Sequence, residues 1–435
     1  MALTTGDTNF TKPYGGSSFD AILKDFYEGP IRDHINNKVT VLELTEKSSR
    51  KFSGKRVVFP VHLSRNDGIG ARGEGGSLPT AGEQGYQEST IQAKFLYGRI
   101  SLSGVVMSAS SGDKGAFAEA LKQEVSGVRK DLRNDLNRQT WGIPVATGTG
   151  AGNTGVLATV TSGVGGASVV FDNDDGVRYL KAGMKVIVGS AQASSLGTVP
   201  PAADNIAKAL TVNSVNAATK TVVFNADATT TAGEVVVRGE GIGSAANGYT
   251  NEITGLSTIV HDADLIDLQN IDVSANTEFK AKRFTSDNNR DLSLELMQLA
   301  YDACDEIGGE EPEVIIGHHS MRREYINLLQ ADVRYSPESL KGGHQTLTYA
   351  GGTRPTTIRF DKDAPYHKLY FLRLSDIKQY VMQDWKWADK DGAILARESG
   401  LDQWEAFMCW YGNLGVEVRN THAVIEDLNA SNLIF

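Results

Sequence analysis

Three short strings in this 435-residue chain carry residue types that could do chemistry. Gly68-Ile-Gly70-Ala-Arg-Gly73 fits the Gly-x-Gly-x-x-Gly pattern of dinucleotide sites, in which the third glycine opens a helix whose N-terminus holds a pyrophosphate. Here Glu74-Gly75-Gly76 and then Pro79 follow, so no helix can begin, and the string reads as a flexible or interface loop. His318-His319-Ser320 offers the parts of a metal pair, or of a hydrolase base and nucleophile. Adjacent histidines point in different directions and no glutamate stands at a zincin spacing, so a strand-to-helix turn with Ser320 as N-cap is the better reading. The run 172–175 resembles a calcium loop. Aligning Gly176 with that loop's glycine, however, puts Phe171 at the first ligand position and Ala182 where a bidentate Glu is required, which leaves a turn.

Five aromatics, Trp385, Trp387, Trp404, Trp410 and Tyr411, could stack on bases or sugars, but such residues more often fill cores or subunit contacts. The sequence contains no Walker phosphate loop and no Gly-x-Ser-x-Gly elbow. Cys304 and Cys409 are the only cysteines, and neither belongs to a Cys-x-x-Cys pair; they read as buried thiols of a reducing cytoplasm. No catalytic residue, cofactor or metal is therefore expected.

A net charge of -10 argues against gripping nucleic acid through a basic face, because that affinity comes from Lys and Arg displacing counterions. It is compatible with a container that must hold DNA without sticking to it. No apolar run of about 18 residues occurs, and residues 1–10 lack a basic start and apolar stretch, so neither a membrane span nor a signal peptide is expected.

The elements that must position these residues follow from periodicity. At this length two or three packed subdomains are expected, and 46 glycines imply many strands and loops. Residues 18–27 have helical spacing in Phe19, Ile22, Leu23 and Phe26 within an arm that has little core of its own. Residues 56–63 alternate as a strand with Val57, Phe59, Val61 and Leu63 on one side, and Pro60 predicts an edge. A return strand over 90–103 alternates Ile91, Ala93, Phe95 and Tyr97 before Gly98 and Arg99 permit a bulge. Between these strands, 65–87 holds seven glycines and no periodicity. A connection that long is usually functional or disordered, and an isolated two-stranded hairpin is marginal in water, so its packing partner is expected to be another molecule.

Residues 115–140 repeat Phe117, Leu121, Val125, Val128, Leu132 and Leu136 at helical intervals behind a possible Asp113 cap, with charges on the other faces. Such a helix runs about 39 Å. From 145 to 276 the composition shifts to Ala, Thr, Ser, Gly and Val, with short strands expected at 156–160, 168–171, 184–188, 209–215, 221–224 and 234–238. A second amphipathic helix over 287–307, closed by Gly308-Gly309, precedes a buried strand at 313–316 and a helix at 320–330. Strands at 356–361, 369–374, 378–382 and 393–397 follow.

Several strings in this order resemble the major capsid proteins of tailed bacteriophages, the Hong Kong 97-type fold. They are Gly54-Lys-Arg-Val-Val-Phe-Pro-Val-His62, Arg72-Gly-Glu-Gly-Gly-Ser-Leu-Pro-Thr-Ala-Gly82, Tyr97-Gly-Arg-Ile100, Asp131-Leu-Arg-Asn-Asp-Leu-Asn-Arg138 and Trp410-Tyr-Gly-Asn-Leu414. The resemblance implies an α+β fold with an N-arm (1–50), an extended hairpin loop over a neighbouring subunit (51–108), a peripheral domain with its spine helix (109–144), an all-β insertion (145–276), an axial domain (277–376) and returning peripheral strands (377–435). It implies a non-catalytic subunit that self-assembles into pentamers and hexamers of an icosahedral shell around double-stranded DNA. The shell forms in the bacterial cytoplasm, touching packaged DNA non-specifically and no membrane.

The arm is too short for an internal scaffolding segment, so a separate scaffolding protein is expected, with a portal protein and a decoration protein as further partners. Inter-subunit contacts are expected at Phe59, Arg65, Arg72, Glu74, Tyr97 and Arg99. The alternative is a β-rich phage surface, tail or host-binding protein. It is suggested by the insertion and opposed by the two long helices.

Overall fold

The computed structural model describes residues 38–50, 52, 54, 56–106, 120–142, 155–162, 166–171, 174–189, 208–228, 230, 234–240, 248, 251–262, 268–286, 289–330, 347–389, 395–397 and 400–430. The expected helix at 18–27 and the Asp113 cap lie outside these residues, as do the first residues of the acidic run, Asp172 and Asn173.

The first part of the chain runs through α1 (Val41–Leu44), β1 (Glu46–Lys47), β2 (Arg56–Ser64), β3 (Gly85–Gln92), β4 (Lys94–Ser103) and the long helix α2 (Ala120–Trp141). β2 alternates as its sequence demands, with Val57 and Phe59 buried and Val58 and Pro60 exposed, and among the described residues β3 is its only strand neighbour. The expected return strand is in fact two. At Ala93 the chain leaves the hairpin, and β4 pairs elsewhere.

Next comes the insertion: β5 (Val156–Ser162), β6 (Ser168–Phe171), α3 (Asp174–Tyr179), β7 (Lys185–Gly189), β8 (Lys208–Asn216), β9 (Thr221–Phe224) and β10 (Val235–Arg238). The six strands close an antiparallel barrel in the order β10-β5-β6-β9-β8-β7, filled by Leu157, Val169, Phe171, Val186, Leu210, Val222 and Phe224 among others. Where a turn was expected after the acidic run, Asp174 opens α3. Gly176 is required there because a Cβ would stand 2.5 Å from that of Ala158 and 2.8 Å from its Cα, so α3 seals directly onto the barrel wall.

Beyond the barrel lie α4 (Leu256–Ile259), β11 (Lys282–Phe284), α5 (Leu294–Gly308), β12 (Val314–Gly317), α6 (His319–Gln330), β13 (Thr348–Tyr349), β14 (Thr356–Phe360), β15 (Leu369–Leu372), β16 (Ile377–Trp387), β17 (Ala396–Arg397), β18 (Gln403–Val416) and β19 (Ala423–Ile425). Ser293 caps α5 by accepting from Leu296 N at 3.1 Å, and Gly309, at φ 74°, ends it in the left-handed conformation.

Two sheets form the main body. One has the order β11-β19-β15-β12-β14-β13, and α5 and α6 bury Met297, Tyr301, Cys304, Met321 and Tyr325 on one of its faces. Its central strand β12 is buried at every position, which is why its sequence is continuously apolar. The other sheet runs β1-β16-β18-β17, with β4 also on β18. Between the two sheets lies a core containing Trp141, Ile316, Tyr370, Leu372, Ile377, Leu414 and Val416. Leu256, Ile259, Leu268, Ile271 and Val273 join this core, so the chain re-enters the main body soon after the barrel closes.

No bulge interrupts β4. Its register with β18 is continuous from Lys94↔Gly412 to Ser103↔Gln403. Gly98 serves packing instead, because a Cβ there would come within 2.7 Å of Leu132 and 2.8 Å of Val128 on α2.

Gly176→Ala tests the seal of the barrel. Helix propensity alone favours alanine by about 1 kcal/mol. Overpacking against Ala158 costs about 1–3 kcal/mol, so net destabilisation is expected as a lower urea midpoint. A raised midpoint would show that α3 does not press on the wall.

Candidate assembly interface

Hairpin β2–β3 is anchored at its base and bare at its end. Val57, Phe59 and Ile91 pack against Tyr380, whose ring lies parallel to that of Phe59 with centroids 6.4 Å apart. The Arg50 guanidinium covers Phe59 at 4.7 Å, and Thr90 N donates to Gln269 O at 2.8 Å. Past Ser64 and Gly85 the loop has no strand structure and closes on itself. Asn66 Nδ2 donates to Gly82 O at 2.8 Å, its Oδ1 accepts from Gly68 N at 2.6 Å, and Arg72 Nε donates to Ser77 O at 3.1 Å. Gly68 has no room for a Cβ, which would meet Gly82 N at 2.8 Å. The first glycine of the dinucleotide-like string thus lets two limbs of a loop approach. Ile69 and Leu78 stand in this loop at 71% and 88% exposure, far from any core.

The six expected contact residues fall into three settings. Phe59 is buried within its own chain as the hairpin's anchor. Arg65, Arg72 and Glu74 lie on the exposed loop, Arg65 facing Asp67 at 3.9 Å and Arg72 engaged by the loop's own carbonyls. Tyr97 and Arg99 lie on the solvent side of β4, where Arg99 pairs with Glu405 of β18. Tyr97 belongs to a chain of edge-on rings: Phe95 meets Tyr411 at 5.1 Å, and Tyr97 meets Tyr411 at 5.8 Å and Phe407 at 6.5 Å. Ile91 shares the alternation of Phe95 and Tyr97 in sequence, yet Ile91 is in the core and the two aromatics are exposed. The break at Ala93 separates them.

Charges expected on the solvated faces of α2 are partly buried. Arg138 grips Glu252 with two hydrogen bonds, 2.5 and 3.2 Å, and reaches Asp135 at 3.1 Å. Arg238, at the end of the barrel, donates to the same Asp135 oxygen at 2.8 Å, and Gln139 to its other oxygen at 2.9 Å. Burial opposes ionisation of Asp135, but the two guanidinium groups outweigh it and hold its carboxyl down at about 2. Glu252 is raised, because its burial outweighs the opposing pull of the Arg138 guanidinium. Nothing in the sequence distinguishes these residues from surface charges. The cluster borders a cleft of about 1090 Å³ between β4, α2 and the barrel.

Insertion and main body also meet at α3. Arg178 donates to the carbonyls of Lys362, Asp363 and Ala364 at 2.7–3.1 Å, and its guanidinium lies 4.3 Å from the Tyr366 ring centroid.

His318 and His319 stand at a strand-to-helix turn. The helix begins at His319, so His318 rather than Ser320 caps it, its Nδ1 accepting from Ser320 N at 3.1 Å. Burial, with Arg178, His319 and Arg323, depresses the His318 imidazole to about 3, which keeps that acceptor lone pair free. Among the described residues no group of three or more His, Cys, Asp and Glu is placed to hold a metal ion.

Arg138→Met leaves two buried carboxylates without their main partner, and a loss of about 3–5 kcal/mol is expected in urea denaturation. A loss below about 1 kcal/mol would mean that water already reaches the cluster. Acid is expected to destabilise the fold through buried His422, which burial and then Arg419 and Arg373 depress to about 3. The unfolded chain takes that proton near pH 6.5 and the folded one only near 3. Stability therefore falls as pH drops through this window, by up to about 1.4 kcal/mol per pH unit. His422→Gln keeps an acceptor for Arg373 N, and denaturant midpoints measured at pH 7 and 5 should then show a shallower slope. An unchanged slope would assign the acid sensitivity elsewhere.

No family model and no curated protein matches the chain. Solved structures do. The cyanophage A-1(L) capsid asymmetric unit is 12% identical over 94% of this chain and 98% of that one, with a TM-score of 0.55. The capsid of a native GTA particle is 7% identical over 94% and 97%, and that of the empty GTA particle 8% over the same shares, each with a TM-score of 0.51. The chain, with a hairpin beside a long helix, a sheet completed by strands from its C-terminal part and a helix-covered second sheet, has the Hong Kong 97-type fold that phage capsids share.

Proposed function

We propose that the chain is the shell-forming subunit of a phage capsid, a structural protein whose activity is self-association. The observation that carries this reading is the correspondence with the cyanophage capsid subunit over nearly the full length of both chains. In this reading pentamers and hexamers build an icosahedral shell around double-stranded DNA, in the bacterial cytoplasm, with separate scaffolding, portal and decoration proteins. The hairpin fastens neighbours: Ile69 and Leu78 supply apolar contacts, Arg65, Arg72 and Glu74 supply ion pairs, and Tyr97 and Arg99 stand on the face of β4. Phe59 contributes by holding the hairpin's base. The domains act as an N-arm (1–50), hairpin (51–108), spine (109–144), insertion (145–276), axial unit (277–376) and returning strands (377–435).

A net charge of -10 suits a container that does not bind its contents tightly, since few phosphates are neutralised. Among the described residues no helix is long and apolar enough to cross a membrane.

Electron microscopy of the purified protein, alone and co-expressed with a candidate scaffolding protein, should show closed shells. A protein that stays monomeric under both conditions would overturn the reading. Deleting 68–82 should leave thermal unfolding within a few degrees of the parent, because that loop contributes no core residue, while closed shells disappear. Loss of folding would instead make the loop part of the subunit's own structure.

A further inference from the structure

We propose that a basic pocket beside α6 receives the acidic outer face of α5 from a second copy of this chain, a head-to-tail ion contact that rests on the capsid reading. The pocket, about 370 Å³, opens along β14 and is lined by Lys38, His319, Arg322 and Arg359 against a single carboxylate, Glu43. Glu43 already faces Arg133 at 2.8 Å. Among the described residues, Arg322 and Arg359 have no carboxylate partner, and the nearest aromatic contact of Arg322 is the Phe360 ring at 5.8 Å. His319 senses this concentration of charge: burial first, then Lys38 and Arg322, depress its basicity.

Helix α5 is the converse. Its fifteen residues include Glu295, Asp302, Asp305 and Glu306 and no Lys, Arg or His. All four carboxylates are exposed, and among the described residues none has a cation within ion-pair reach. The C-terminal end of the helix dipole adds to the same sign near Asp305 and Glu306. Leu299 and Ile307 stand among these acids at 52% and 46% exposure, apolar side chains that an opposing surface would cover.

Within one copy the two patches remain apart. α5 lies over β19, β11 and β15, whereas the pocket lies at β14 with α6 and residues 38–44. Identical subunits turned head to tail about an axis bring the base-lined pocket of one against the acid-lined helix of the next at every joint, and the ring closes without a second kind of contact. Opposite potentials also reject the wrong orientation, since acid against acid or base against base is repelled. The occupant is therefore a protein carboxylate. The rival source of negative charge, the phosphates of packaged DNA, is separated by the test.

The test reverses each patch in the full-length chain under conditions where the parent assembles. Arg322→Glu with Arg359→Glu, and separately Asp302→Lys with Glu306→Lys, should each leave a folded subunit by circular dichroism while the assembled fraction in sedimentation falls by about tenfold or more. All four changes in one chain should restore assembly, because every joint again has opposite charges. Restoration identifies the two patches as mutual partners. Assembly by either two-residue variant at the parental level overturns the proposal, and so does failure of the four-residue chain to recover. Shells that form normally from the Arg322→Glu, Arg359→Glu chain but lose DNA on gradient purification would assign the pocket to phosphate and overturn it too. A parent that never assembles would instead sink the capsid reading, a distinguishable result.

Discussion

Everything else in the molecule is placed by the pairing of β18 on both of its edges. β4 lies along one edge without a register break, β16 along the other with two, so a strand from the C-terminal part of the chain joins the N-terminal β4 to the later β16. The joint is tight. A Cβ on Gly412 would meet the Trp410 ring and Tyr380 O at 2.8 Å, and one on Gly415 would meet Ile91 at 2.3 Å. Asn413 ties the same point to two other segments, donating to Gln92 O at 2.9 Å and accepting from Thr254 N at 2.8 Å. The chain must therefore turn away at Ala93, and β2–β3 is left projecting with one anchored end. An exposed loop that the sheet cannot cover follows directly from that constraint.

Local periodicity made much of this legible. β2 could be read because one of its faces is buried against Tyr380 and the other is not, and the barrel strands because β-branched residues alternate along a closed wall. The two long helices were visible from their apolar stripes. What could not be read depends on partners distant in sequence. Ile91 and Phe95 lie in the same alternation, and only the switch of partner from β2 to β18 sends one inward and leaves the other in solvent. Asp135 and Arg138 look like solvated charges on an amphipathic helix because their partners are distant in sequence, Arg238 at the end of the barrel's last strand and Glu252 after it. Ser320 has the residue type of a cap, but the helix begins at His319, earlier than a Ser320 cap would allow, and His318 takes that place. Of the candidate site, the loop charges were visible from composition. Of the aromatic row, Phe95, Tyr97 and Tyr411 stood out in the sequence, but their meeting could not be read because it depends on the pairing of β4 with β18.

Buried polar ties decide how the parts sit on one another. Asp361, 1% exposed, accepts from Thr40 N and Val41 N at 3.2 and 3.3 Å and from Asn137 at 3.1 Å, joining the arm, α2 and the end of β14 through one carboxylate. The barrel is held twice, by Arg238 on α2 and by Arg178 on residues 362–364. Hydrophobic contact alone would permit sliding. Hydrogen bonds that lose their partners on a small displacement do not, because each orphaned buried group costs about 1–3 kcal/mol. The barrel is thus tied to the rest of the chain by polar contacts at two places.

That rigidity has a complement on the surface. In the proposed assembly the features left for contact with other copies are exposed charges, a row of half-exposed rings and two apolar side chains on a loop, none of which is individually strong. An exposed ion pair contributes about 0–1 kcal/mol, and a single apolar side chain about 1.5–3 kcal/mol when fully covered. Strong individual joints would trap misplaced subunits, because a wrong contact could not dissociate before the next copy arrived. Weak joints repeated around a closed symmetric object hold collectively, since removing one subunit breaks all of its contacts together. A stiff subunit is what makes this work: interfaces too weak to deform their partners must be presented in the right geometry beforehand.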